Sequence, residues 1–135
     1  MQEIAENLKV LNLYTHLAHN LAKGPSFFAD HEFLGDVYEK ADDHYDSVVE
    51  RMIGLDEAPD IQKIIETASS KFSSLPNTPK NESFFAVTLQ IIEKLKDQIE
   101  QYCEQGECSE GTEQLLGGIA DELEVWTYKI KQRIG

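Results

Sequence analysis

Apolar side chains recur at three- and four-residue intervals through most of this chain, and that spacing predicts helix. From about Gln2 to Lys23, Ile4, Leu8, Leu11, Ala18 and Leu21 mark one face, with Tyr14 and Leu17 filling it. A second helix is predicted from about Phe28 to Ile53, through Phe33, Leu34, Val37, Tyr38, Ala41, Tyr45, Val48, Val49 and Met52. Gly54 stops it, and Asp56 to Pro59 reads as a short surface link. Asp60 to Lys71, with Ile61, Ile64, Ile65 and Ala68, predicts a short helix. The run from Ser73 to Pro79 is dense in turn residues. Asn81 then reads as the cap of a third long helix carrying Phe84, Phe85, Leu95 and Ile99. Thr112 starts a fourth, carrying Leu116, Ile119, Leu123, Trp126 and Ile130. No stretch shows the two-residue period of a strand. Four long helices with one long second connection predict an all-α bundle, the short extra helix lying in the crossover between the second and third. A chain of 135 residues suits one domain spanning 1–135.

The first and second helices meet at Gly24-Pro25, a strong helix break, so they form an antiparallel hairpin. His19 lies about as far before that turn as His31 lies after it, which sets the two imidazoles at one level, facing each other. Further along the second helix, Asp46 and Glu50 are spaced i, i+4 and share a face one turn apart. Asp46 is roughly 60° round from His31 but about 22 Å along the axis at ~1.5 Å per residue. A metal bond spans only ~2 Å. One subunit therefore cannot bring these groups to one ion. Two copies packed antiparallel across a two-fold axis can, and the symmetry makes the site twice. Bundles that hold two metals inside one subunit use Glu-x-x-His pairs, and this sequence contains none.

The run from His19 to Arg51 resembles the Dps proteins, ferritin-like mini-ferritins. Their pattern of His, a short gap, Gly-Pro-x-Phe-Phe, His-Glu and then Asp-x-x-x-Glu-Arg is matched by His19, Gly24-Pro25, Phe27-Phe28, His31-Glu32, Asp46, Glu50 and Arg51. The resemblance implies a ferritin-like four-helix bundle. It also implies Fe(II) oxidation, usually by hydrogen peroxide with oxygen as the other oxidant, and storage of ferric iron in a shell of twelve subunits built from two-fold dimers. His19 and His31 of one subunit and Asp46 and Glu50 of its partner would be the catalytic and metal-binding groups. Imidazole with carboxylate suits iron, and also Zn(II) or Mn(II). Two positions depart from the pattern. Asn20 replaces a Trp, and Gly35 stands where the family carries an acidic ligand. On this reading one iron position is well held and a neighbouring one weak, and Gly35→Asp should strengthen the second. A shell that keeps metal binding but has impaired ferroxidase activity is the alternative; a DNA-protecting protein is a third.

Charge decides against the third. The formal net charge is −13, and nucleic-acid affinity rests on Lys and Arg meeting phosphates. MQEIAENLK enters a helix almost at once, so no basic tail is expected, and DNA binding is not expected either. An acidic shell suits the attraction of cations. Glu104, Glu107, Glu110 and Glu113 crowd the last turn, and the resemblance places that turn near a three-fold pore. His16 reads as a packing residue and His44 as solvent-facing, while Asp42 is a candidate secondary ion contact. Cys103 and Cys108 read as reduced thiols, with a redox-sensitive disulfide as the sharper alternative. No apolar run approaches the ~18–20 residues that span a bilayer. No cationic, apolar, cleavable start is seen, so no membrane association is expected and the cytoplasm is the default compartment.

Overall fold

The computed structural model describes residues 1–77, 80–106 and 108–135. Thr78 and Pro79 of the turn-rich run, and Glu107 of the acidic turn, lie outside the described residues. Among the described residues five helices follow in order: α1 Gln2–Leu21, α2 Phe27–Gly54, α3 Ile61–Ser73, α4 Asn81–Glu104 and α5 Glu110–Ile134. The four long ones form the bundle, and α3 lies in the crossover, packed on α1.

Side-chain contacts fix the directions. Asn81 at the start of α4 meets Lys23 just past α1 and Asp30 at the start of α2, and Arg133 at the end of α5 joins them. At the far end, Asn7 of α1 donates to Gln98 of α4 at 2.7 Å. So α2 and α4 run one way and α1 and α5 the other. The 55–80 connection must travel the bundle's length, which is why it holds a helix of its own.

The inward faces are those of the apolar period, except that Leu21, Ile61 and Ile65 are exposed. Leu8, Leu11, Leu34, Ile64, Phe84, Ile92, Leu95, Leu116, Ile119 and Leu123 are fully or almost fully buried. Each such side chain stabilises by ~1.5–3 kcal/mol through apolar burial. Tyr14 is buried among them, and its hydroxyl has no hydrogen-bond partner among the described residues. Burial alone pushes its pKa up to about 12.

Three helix ends differ from the expected ones. α1 stops at Leu21 because Ala22 is extended, with φ −55° and ψ 140°. Gly24, with φ +86°, makes the reversal in the left-handed region that glycine adopts at no steric cost. Asn81 is not a cap. Lys80 takes that position, and Asn81 spends its amide across the bundle. α5 begins at Glu110, two residues before Thr112, because the Ser109 hydroxyl accepts from the Thr112 N–H at 3.2 Å.

Candidate metal centre

The α1–α2 hairpin brings His19 and His31 face to face, with ring centroids 3.6 Å apart and planes 17° apart. Each is tethered to the other's backbone. His19 Nδ1 lies 2.6 Å from the His31 carbonyl oxygen, and His31 Nδ1 lies 2.7 Å from the His19 carbonyl oxygen. A carbonyl only accepts, so each Nδ1 carries the proton and donates it. In the neutral rings the lone pair is then on Nε2, and no hydrogen bond occupies Nε2 of either ring among the described residues. Such a bond from the other ring nitrogen is what fixes the tautomer of a metal-binding imidazole.

Aromatic rings brace the pair. Phe27 stacks on His31 at 4.8 Å, and Tyr38 meets His19 edge-on at 5.3 Å. His16 is exposed; it lies flat on Tyr38 at 4.1 Å, with its ring centroid 6.4 Å from that of His19, at the edge of the pair. Both site histidines are half-buried, whereas Phe28, next to Phe27, is 84% exposed. Gly35 is buried directly under His19. A β-carbon built there would sit 3.0 Å from Cε1 and Nδ1 of the ring.

Asp46 and Glu50 lie well down α2, and both are exposed. Among the described residues no group of three or more His, Cys, Asp or Glu side chains in one chain converges on an ion. The histidines are thus brought together, and the carboxylates are not brought to them. Arg51 does not pair with Asp46 or Glu50 but donates to the Thr112 hydroxyl at 3.2 Å. Asp42 is held by Lys9 at 3.1 Å, which competes with any ion contact there. Tyr45, between these acids, has its pKa raised by burial first and by Asp46 and Asp42 after it.

Two features escaped the sequence. His44 is not solvent-facing: its side chain is 15% exposed, and Nε2 lies 2.7 Å from a Glu122 oxygen on α5. Helical position puts His44 on α2's flank, and only the neighbouring helix shows that flank to be covered. The second is a carboxylate, Asp30, that is 2% exposed and bound by Arg133 and Asn81. The free Cys103 and Cys108 are half-buried. Burial, then the neighbouring Cys108 thiol, pushes the Cys103 pKa up.

The fold and the histidine hairpin define a class. The ferritin-like domain model matches residues 2–131, and the chain belongs to the ferritin-like family. Within that family the likeness runs to the Dps proteins. General stress protein 20U of Bacillus subtilis is 27% identical over 133 residues, covering 96% of this chain and 90% of that one. The DNA protection during starvation protein of Listeria innocua is 23% identical over 129 residues, covering 91% and 83%. A mutant of Dps1 from Mycobacterium smegmatis superposes with a TM-score of 0.80 at 18% identity, covering 99% of this chain and 91% of that chain. No helix is long and apolar enough to cross a membrane among the described residues.

Proposed function

We propose that this protein oxidises Fe(II) at a site shared by two subunits and stores the ferric product inside a closed shell. Membership of the ferritin-like family supports iron handling at the coarse level. The reciprocal Nδ1 tethering of His19 and His31 carries the finer reading, because it leaves Nε2 of both stacked rings without a hydrogen bond among the described residues. Iron is the substrate here. Metal lies near an imidazole's own plane at ~2.0–2.1 Å from nitrogen. Planes 17° apart with centroids 3.6 Å apart cannot both contain one ion at that distance. The rings therefore address two neighbouring ions, on the scale of the ~3.5–4 Å spacing of two-metal sites.

The remaining donors come from the partner subunit as Asp46 and Glu50, whose carboxylates favour the harder Fe(III) product. Two Fe(II) ions each give one electron to a peroxide, its O–O bond breaks, and water supplies the remaining oxygen of the ferric oxyhydroxide while protons are released. Zn(II) or Mn(II) fits the same donors. The acidic chain, −13 overall, favours cation entry, and Glu104, Glu110 and Glu113 lie on exposed ground at the α4–α5 turn.

Gly35 supports a second reading, a metal-binding shell with slow oxidation, because the place of one acid is taken up by the His19 ring. Stopped-flow absorbance of the ferric product, with peroxide and with oxygen, separates the two. Rapid colour with peroxide that is lost in His31→Ala is the expected result. Tight binding with no oxidation faster than free Fe(II) would select the second reading.

A further inference from the structure

We infer that Asp30, Asn81 and Arg133 are positioning residues for the histidine pair. They lock the α1–α2 reversal from outside the hairpin, so the end of α5 governs how His19 and His31 present Nε2 to a divalent cation. This rests on the metal-site reading above.

Apart from the two histidine tethers, the turn does little to fix itself. Ser26 occupies the N-cap of α2 without a side-chain cap bond, and what remains is backbone, Phe27 N–H to Gly24 at 3.0 Å and Asp30 N–H to Ser26 at 2.9 Å. The fixing groups are imported. The Asn81 amide grips both backbone polar groups of Lys23: its Oδ1 accepts from the Lys23 N–H at 3.1 Å, and its Nδ2 donates to the Lys23 carbonyl at 2.8 Å. The same Nδ2 donates to Asp30 Oδ2 at 2.9 Å. Arg133 closes the lock with a two-pronged contact, Nε to Oδ1 at 2.9 Å and Nη2 to Oδ2 at 2.8 Å. Glu82 steadies the guanidinium at 3.4 Å.

Lys23 is four residues past His19, and Asp30 immediately precedes His31. The lock therefore grips the chain on both sides of the turn, one helical turn past one of the carbonyls from which the imidazoles hang and one residue before the other. A slip of the hairpin moves each carbonyl and the ring bound to it together. A planar, bidentate guanidinium resists such a slip in a way that a single ammonium does not. The buried carboxylate also fixes the partner's identity, since an unpaired charge 2% exposed would be costly.

The test uses the assembled protein with Co(II) as probe, read by visible absorption under anaerobic titration. Arg133→Gln is the main variant, Arg133→Lys the conservative one, and Ile99→Val a control for general loss of stability, far down α4. We expect Arg133→Gln to weaken Co(II) binding about tenfold, the scale seen for outer-shell partners, and to shift the absorption band. Arg133→Lys should recover part of both, and Ile99→Val neither. Parent affinity and spectrum in Arg133→Gln would overturn the inference. So would equal weakening in Ile99→Val at a matched loss of melting temperature. Should Arg133→Gln fail to assemble, Arg133→Lys decides by the same criteria. A parent that binds no Co(II), or binds it unchanged in His31→Ala, overturns the metal-site reading itself.

Discussion

Gly35 and His19 touch across the α1–α2 hairpin: a β-carbon on Gly35 would lie 3.0 Å from both Cε1 and Nδ1 of the imidazole. That Nδ1 is tied to the His31 carbonyl at 2.6 Å, so the ring cannot retreat without giving up its tether. The ring occupies the space a side chain would fill, so any larger residue makes it give by a few tenths of an ångström. An acid at this position would not simply complete the site, as the spacing alone suggests. It would first have to push His19 aside.

Gly35→Ala and Gly35→Asp should both weaken metal binding. Overpacking costs ~1–3 kcal/mol, offset in part by the ~1 kcal/mol that helix propensity returns when Gly is replaced by Ala. Titration calorimetry with Fe(II) under anaerobic conditions should show severalfold weaker binding in both. A new tight site in Gly35→Asp would show that His19 moves freely.

Tyr14 gives a stability test at high pH. Its ordinary pKa of 10.0 is raised to about 12 in the folded chain by burial. Above pH 10 the unfolded phenol loses its proton while the folded one keeps it, so stability falls as pH rises from 10 towards 12. The slope is ~1.4 kcal/mol per pH unit. Tyr14→Phe removes this slope, and at neutral pH it removes a buried hydroxyl with no partner, a change worth ~1 kcal/mol in favour of folding. Urea melts of parent and variant across pH 8–11 check both. Parallel curves would contradict the burial argument.

Much of this was legible beforehand because helical period is a local property. The faces of α1, α2, α4 and α5, the break at Gly24-Pro25 and the level pairing of His19 with His31 follow from spacing alone. What was not legible joins residues far apart in the chain. Asp30 meets Arg133 across 103 positions and His44 meets Glu122 across 78. No local pattern encodes which helix will cover a given flank. Asn81 shows the same limit from the other side: its type suits a cap, yet the bundle uses its amide to hold Lys23.

Assembly should depend on the exposed apolar ground of the hairpin. Twelve copies of a 15.3 kDa chain make a particle of about 184 kDa, the expected reading in light scattering if the symmetry closes. Phe28, 84% exposed, is expected to be covered by a partner, so Phe28→Glu should lower the mass. A parent that stays monomeric at micromolar concentration would remove storage altogether.

DNA should not be retained. The chain carries −13, and of the basic group Lys129, Lys131 and Arg133 the last is already engaged by Asp30 and Glu82. A mobility shift over a range of salt should show no retardation at ordinary ionic strength. Tight, salt-sensitive retardation would mean that local charge outweighs the total.

The shared site is tested most directly by a crystal soaked anaerobically in Fe(II), with anomalous scattering recorded at the iron edge. Two neighbouring peaks are expected, each at ~2.1 Å from an Nε2, one on His19 and one on His31, with Asp46 and Glu50 of the partner subunit closing the shell. Iron inside the bundle of one chain, or peaks on Asp46 and Glu50 with no histidine within bonding distance, would contradict it.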